Sequence, residues 1–104
     1  RERRAHSQVS DFEFKDLGEG RFAVTGDMSF ETADRILKAS ESQFAAHASI
    51  QVDLSGIGKA DSAGLALLLE WKAQASRREA SISYSDIPES MIAIARTSEV
   101  SDLL

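Results

Sequence analysis

Val52-Asp53-Leu54-Ser55-Gly56-Ile57-Gly58-Lys59-Ala60-Asp61-Ser62-Ala63-Gly64-Leu65-Ala66-Leu67-Leu68-Leu69 is the stretch whose reading decides the fold. It reads as a buried strand, a short glycine-bearing loop, and an apolar helix that opens at Asp61-Ser62. The apolar residues Ile50, Val52 and Leu54 recur at period two, which is the spacing of one face of a strand. From Ser62 to about Arg78 the spacing is helical. A helix N-terminus carries unpaired N–H donors and a partial positive charge, so this corner is equipped to meet a phosphate or a partner's acceptor group.

Upstream, Phe12 and Phe14, then Phe22 and Val24, alternate with polar neighbours around Asp16-Leu17-Gly18-Glu19-Gly20. That pattern predicts a β-hairpin with a turn of about five residues, closing at Thr25-Gly26-Asp27. Ser29 is the expected N-cap of a helix over 30–46, with Ala33, Ile36, Leu37, Ser40 and Phe44 on its apolar stripe. Downstream, Ile82 and Tyr84 alternate with serines and predict a last strand to about Ser85. Pro88 suits a first helical turn, and Met91, Ile92, Ile94 and Ala95 predict a short third helix. Ser101 to Leu104 carries at most one more turn.

The order is therefore β-β-α-β-α-β-α. It predicts an α/β domain with a four-stranded mixed sheet: the leading hairpin is antiparallel, the strand–helix–strand passages are parallel. Four strands are few, so the helices are expected mainly on one face.

The second helix is apolar in nearly every direction. Leu65, Leu68 and Leu69 share a side with Lys72; Ala63, Ala66 and Leu67 lie roughly opposite, and Trp71 falls between Leu67 and Leu68. A surface helix normally buries one stripe. Leu67 or Trp71 is therefore expected to contribute to an exposed apolar patch, the mark of a partner surface. The alternative is a central helix sandwiched by its neighbours.

The chain has 104 residues, 42% hydrophobic and 28% charged, which is one globular domain. A formal net charge of −5 argues against a duplex nucleic-acid partner, because phosphate neutralisation requires a basic face. No cysteine is present, so disulfides and thiolate metal sites are excluded, and a reducing cytoplasm is permitted. No apolar run approaches the roughly 18 residues of a membrane span, so direct membrane insertion is not expected. Residues 1–10, opening with Arg1-Glu2-Arg3-Arg4, read as a solvated N-terminal tail, and 11–104 as the domain. Arg1 is not a residue before which an initiator Met is trimmed, so the natural start is expected upstream.

The sequence offers little for catalysis. Gly58-Lys59 resembles part of a phosphate loop, but that motif needs glycine at position 53 and a hydroxyl at position 60, where Asp53 and Ala60 stand. Asp53, Asp61 and Asp86 fall near strand ends, yet aspartates there are ordinarily caps and loop residues. His6 and His47 lack a second ligand at metal spacing. No nucleophile–histidine–acid arrangement is suggested, so neither an enzyme nor a bound cofactor is expected. Ser62 has two readings: a capping or first-turn residue, or a contacting or regulated hydroxyl. A phosphate there would bring roughly −2 charge to a helix N-terminus.

Val52-Asp53-Leu54-Ser55 followed by Ala60-Asp61-Ser62-Ala63-Gly64-Leu65-Ala66-Leu67-Leu68-Leu69 resembles the signature of STAS domains, the sulfate-transporter and anti-sigma-factor-antagonist family. Gly26-Asp27-Met28-Ser29-Phe30-Glu31-Thr32-Ala33 resembles the family's passage from hairpin to first helix. The resemblance covers residues 11–104. Within the family, Gly64 to Trp71 is most similar to the cytoplasmic STAS subunits of Mla-type bacterial phospholipid ABC transporters. That implies a non-catalytic accessory subunit, peripheral to the inner membrane through its partner. It implies docking on the transporter ATPase through the loop and helix at Asp61-Ser62, with the Ser62 hydroxyl facing the ATPase. With Ala63, and with Leu67 and Trp71 from the apolar helix, these form the expected partner-binding set. The other branch is the anti-sigma-factor antagonist, phosphorylated by an anti-sigma factor kinase. That branch often carries two hydroxyl residues between Asp and Gly; here the second position is Ala63, which leaves Ser62 as the candidate phosphoacceptor.

Overall fold

The computed structural model describes residues 11–104, so the expected tail at 1–10, with His6, lies outside the described residues. The elements are β1 (Phe12–Gly18), β2 (Arg21–Met28), α1 (Ala33–Phe44), β3 (Ser49–Ala60), α2 (Ser62–Arg77), β4 (Ser81–Ser85) and α3 (Glu89–Thr97), with a final 3-10 turn at Ser101–Leu103. The predicted order holds. The sheet runs β1-β2-β3-β4, with β1 antiparallel to β2 and the other two pairings parallel.

Period-two alternation turns Phe22, Val24, Ile50, Val52, Leu54 and Ile82 toward the helices, where they are buried. Their neighbours Arg21, Gln51, Ser81, Ser83 and Ser85 point to the uncovered face and are exposed. Polar side chains suit that face to solvent, so one layer of helices suffices. The hairpin turn is tighter than the expected five residues. It comprises Glu19 and Gly20, both at positive φ (58° and 80°), the geometry that matches the twist of paired strands.

β3 is more than twice as long as the predicted strand. The segment read as a loop, Ser55 to Ala60, stays paired with β2 as far as Ala60 opposite Met28, through two register shifts. Glycine is a poor strand former, but at Gly56 a Cβ would strike the Thr25 side chain, so any other residue here would have to displace that side chain.

α2 is the centre of the domain. It packs on α1, α3, β3 and β4. Buried along it are Gly64, Leu65, Leu67, Leu68, Trp71 and Ala75. Trp71 is 1% exposed: its ring packs on Phe44 (centroids 5.1 Å), and its indole N–H donates to Ser40 Oγ (2.9 Å), which donates in turn to the Leu37 carbonyl (2.8 Å). Tyr84 ties α2 to β4, its hydroxyl donating to the Leu68 carbonyl at 2.6 Å. Lys72 donates to the Ile82 carbonyl (2.8 Å) with its Nζ over the Tyr84 ring. Arg78 donates to the carbonyls of Phe44 (2.6 Å) and His47 (3.1 Å), tying the end of α2 to the end of α1 and the segment after it.

The expected exposed patch at Leu67 and Trp71 is therefore corrected. Leu67 is 4% exposed and Trp71 almost fully buried. α1 and α3 flank α2 while the sheet covers a third side, which is why its apolar residues need no single stripe.

Candidate functional site

α2 begins at a corner built by Asp61. Its backbone is extended (φ −140°), as an N-cap requires, and Oδ1 accepts from the amides of Ala63 (2.9 Å) and Gly64 (3.4 Å). Oδ2 accepts from the backbone N–H of Phe30 at 3.1 Å. One carboxylate thus caps α2 and holds the β2–α1 loop. Gly64 completes the joint, because a Cβ there would drive into the Met28 carbonyl at the end of β2. The Asp-Ser-x-Gly spacing is in this way a packing requirement as well as a helix start.

Ser62 is the first residue of α2 and is exposed. Its role as the cap is taken by Asp61, so its hydroxyl faces solvent at the tip. Ala63 is half-buried beside it.

The loop facing this corner differs from the predicted helix start. α1 begins at Ala33, and Ser29 to Thr32 form a turn in which Thr32 N and Ala33 N donate to the Ser29 carbonyl. Thr32 organises the turn: its Oγ1 donates to the Asp27 carbonyl (2.9 Å) and accepts from Ser29 N (2.9 Å). The Ser29 hydroxyl, expected to cap, is buried without a partner. The turn lifts Phe30 out of any helix and leaves it 83% exposed.

Phe30 is the residue that sequence reasoning missed. It falls three residues before Ala33 and seven before Leu37, so helical periodicity absorbs it into the α1 stripe. Phe30 lines a shallow, open groove of about 320 Å³ between α1 and α2, with Ala33, Leu37, Ala63, Ala66 and Leu67 as the rest of its apolar lining. Leu67 contributes to this groove from its floor, whereas Trp71 lies behind it in the core. The structure thus brings Asp61, Ser62, Ala63 and Leu67 to one end of the domain and separates Trp71 from them.

The acids expected near strand ends do not converge. Asp53 accepts from Ser55 N (2.8 Å), and that bond holds its carboxyl below the usual carboxylate range. Asp61 is the cap, and Asp86 is an exposed turn residue with φ 57°. Among the described residues no group of three His, Cys, Asp or Glu side chains is placed to hold a metal ion. His47 packs edge-on against Phe22, at 5.7 Å between centroids. No helix among the described residues is long and apolar enough to cross a membrane.

A strand–corner–helix joint of this kind, at the end of a four-stranded sheet in this order, meets a family model described as "Mlab, STAS domain", which matches residues 14–104. The chain belongs to the MlaB-type STAS family. Among solved structures, this STAS domain is similar to the anti-sigma factor antagonist SpoIIAA in its unphosphorylated form. That match has a TM-score of 0.68 and 14% identity, over 89% of this chain and 84% of that one. The Bacillus cell fate determinant SpoIIAA in the phosphorylated form gives 0.64 and 13%, over 89% and 87%. Mglu gives 0.56 and 16%, over 74% of this chain but only 19% of that one. At these identities the likeness concerns the fold, the expected STAS architecture. No curated protein matches the chain by sequence.

Proposed function

We propose that this STAS domain is a non-catalytic accessory subunit that docks on the ATPase of an Mla-type phospholipid ABC transporter and supports its assembly. The observation that carries the reading is the match of residues 14–104 to the MlaB STAS model. STAS domains in general act as regulatory or accessory modules through protein–protein contacts. The α2 corner supplies a contact of suitable form: an exposed hydroxyl at Ser62 and an exposed aromatic at Phe30, held on two different elements by one carboxylate. Exposed aromatic side chains on a rigid support are efficient interface anchors. The subunit would reach the inner membrane from the cytoplasm through this partner.

The second reading is an anti-sigma-factor antagonist switched by phosphorylation at Ser62. The fold likeness to SpoIIAA, solved in both phosphorylated and unphosphorylated forms, favours keeping it. Ala63 in place of a second hydroxyl weighs against it.

Co-purification separates the two. The full chain is expected to form a stable complex with the transporter ATPase. Ser62→Glu and Phe30→Asp should abolish that complex while leaving the thermal midpoint of the free protein nearly unchanged. Capture by an anti-sigma factor kinase, with incorporation of phosphate at Ser62, would instead establish the antagonist.

A further inference from the structure

Beyond the corner itself, the groove between α1 and α2 has a chemical character that selects among occupants. Its floor is apolar, made by Leu37, Ala63, Ala66 and Leu67, and Phe30 stands over one end. The charged side chains lining it are acidic only: Asp34 from α1 and Glu70 from α2, one on each wall. Their cations, Lys38 (3.7 Å from Asp34) and Arg77 (3.4 Å from Glu70), do not line the groove. The Asp34 pair is largely exposed and the Glu70 pair, whose carboxylate also accepts from Gln74 (3.1 Å), partly so; both are weak, so a partner's cation can replace Lys38 or Arg77 at little cost.

We infer that this groove receives an amphipathic helix of the partner protein, which seats apolar side chains between α1 and α2 and places lysines or arginines against Asp34 and Glu70. The inference rests on the proposed docking role and names the kind of partner segment that fits. A helix suits the site because an apolar strip contributed by both α1 and α2 accepts anchors at i, i+3 or i+4 and i+7. Carboxylates on both walls favour cations on both flanks of that helix. The same charges disfavour other occupants. A phosphate-bearing nucleic acid or an anionic lipid surface would meet like charge, and so would a second copy of a chain whose net charge is −5. Phe30 lengthens the apolar surface toward Ser62, so a helix seated in the groove would end against the exposed hydroxyl.

The test uses the full chain and the transporter ATPase. Ala66 is exposed, so Ala66→Trp fills the groove without entering the core. It is expected to weaken the complex at least tenfold, as is Asp34→Lys combined with Glu70→Lys. The charge-reversed pair should also lose the weakening that added salt causes in the parent complex. Ser83→Lys, on the uncovered sheet face, should change nothing. A photo-crosslinking side chain at position 66 is expected to mark a helical ATPase segment with basic residues flanking apolar ones. If Ala66→Trp binds normally while Ser62→Glu still fails, the groove assignment is wrong and the docking corner stands. A crosslink to an acidic or extended segment also overturns it. If the parent chain does not bind the ATPase, both readings fall.

Discussion

The Asp61 carboxylate accepts a hydrogen bond from the backbone N–H of Phe30, a residue 31 positions earlier in the chain. Its other oxygen caps α2. The exposed aromatic and the exposed Ser62 hydroxyl are therefore not independent features, since one side chain sets the position of both.

Asp61→Asn separates the two tasks. Asparagine has a single acceptor oxygen, enough to keep the cap but not to hold Phe30 as well. Stability should fall by less than about 1 kcal/mol, while hydrogen exchange at the Phe30 amide accelerates. Asp61→Ala loses both tasks and should cost about 1–3 kcal/mol. Chemical denaturation with amide-resolved exchange reads both quantities. Unchanged protection of Phe30 in the asparagine variant would show that the link is not what holds the loop.

Leu67→Asp should unfold the domain or lower its stability by about 3 kcal/mol or more, because the carboxylate would enter a buried site without a partner. Periodicity alone predicted the opposite, a surface substitution that spoils binding. Ser40→Ala tests the neighbouring core: it leaves the Trp71 indole N–H buried and unpaired, at about 1–3 kcal/mol. Trp71 is the only tryptophan, so its fluorescence follows both transitions.

Tyr84 predicts an alkaline limit. Burial raises its phenol well above the ordinary value near 10. The folded state therefore holds the proton more tightly than the unfolded state does. The resulting stability is fully present below pH about 10 and is lost as pH rises above it. Tyr84→Phe should flatten that alkaline loss, while costing about 1 kcal/mol at neutral pH for the bond to Leu68. Tyr84 is the only tyrosine, so its phenolate absorbance can be titrated directly. Ionisation near pH 10 without unfolding would contradict the burial argument.

Ser29 and Thr32 should respond in opposite ways. Ser29→Ala removes a buried hydroxyl with no partner and is expected to be neutral or slightly stabilising. Thr32→Val removes the oxygen that accepts from Ser29 N and donates to the Asp27 carbonyl, so it should cost about 1–3 kcal/mol. Thermal melts of the two variants give the comparison.

The physical reasons for what was and was not legible differ by element. Strand alternation around Phe22, Val24, Ile50, Val52 and Leu54 is a local property and predicted the covered face correctly. The Asp61 cap was legible because an N-cap depends on residues within one turn. The length of β3 was not: Gly56 and Gly58 read locally as a loop, and only the pairing of Gly56, Ile57, Lys59 and Ala60 with β2 keeps the segment in the sheet. The start of α1 was misread for a similar reason. Ser29 has the better local signature, but Thr32 has an acceptor within reach at Asp27, which the path of β2 puts there.

By itself, the sequence determined the order of elements, the mixed sheet and the corner at Asp61-Ser62, since each follows from short-range periodicity and capping chemistry. Only the tertiary structure decided which apolar residues face water. Helical spacing gives a side chain's direction about its own axis and cannot say what stands opposite. The flanking helices and sheet bury Leu67 and Trp71, while the Ser29–Thr32 turn, tied to Asp61, carries Phe30 into solvent at the same end as Ser62.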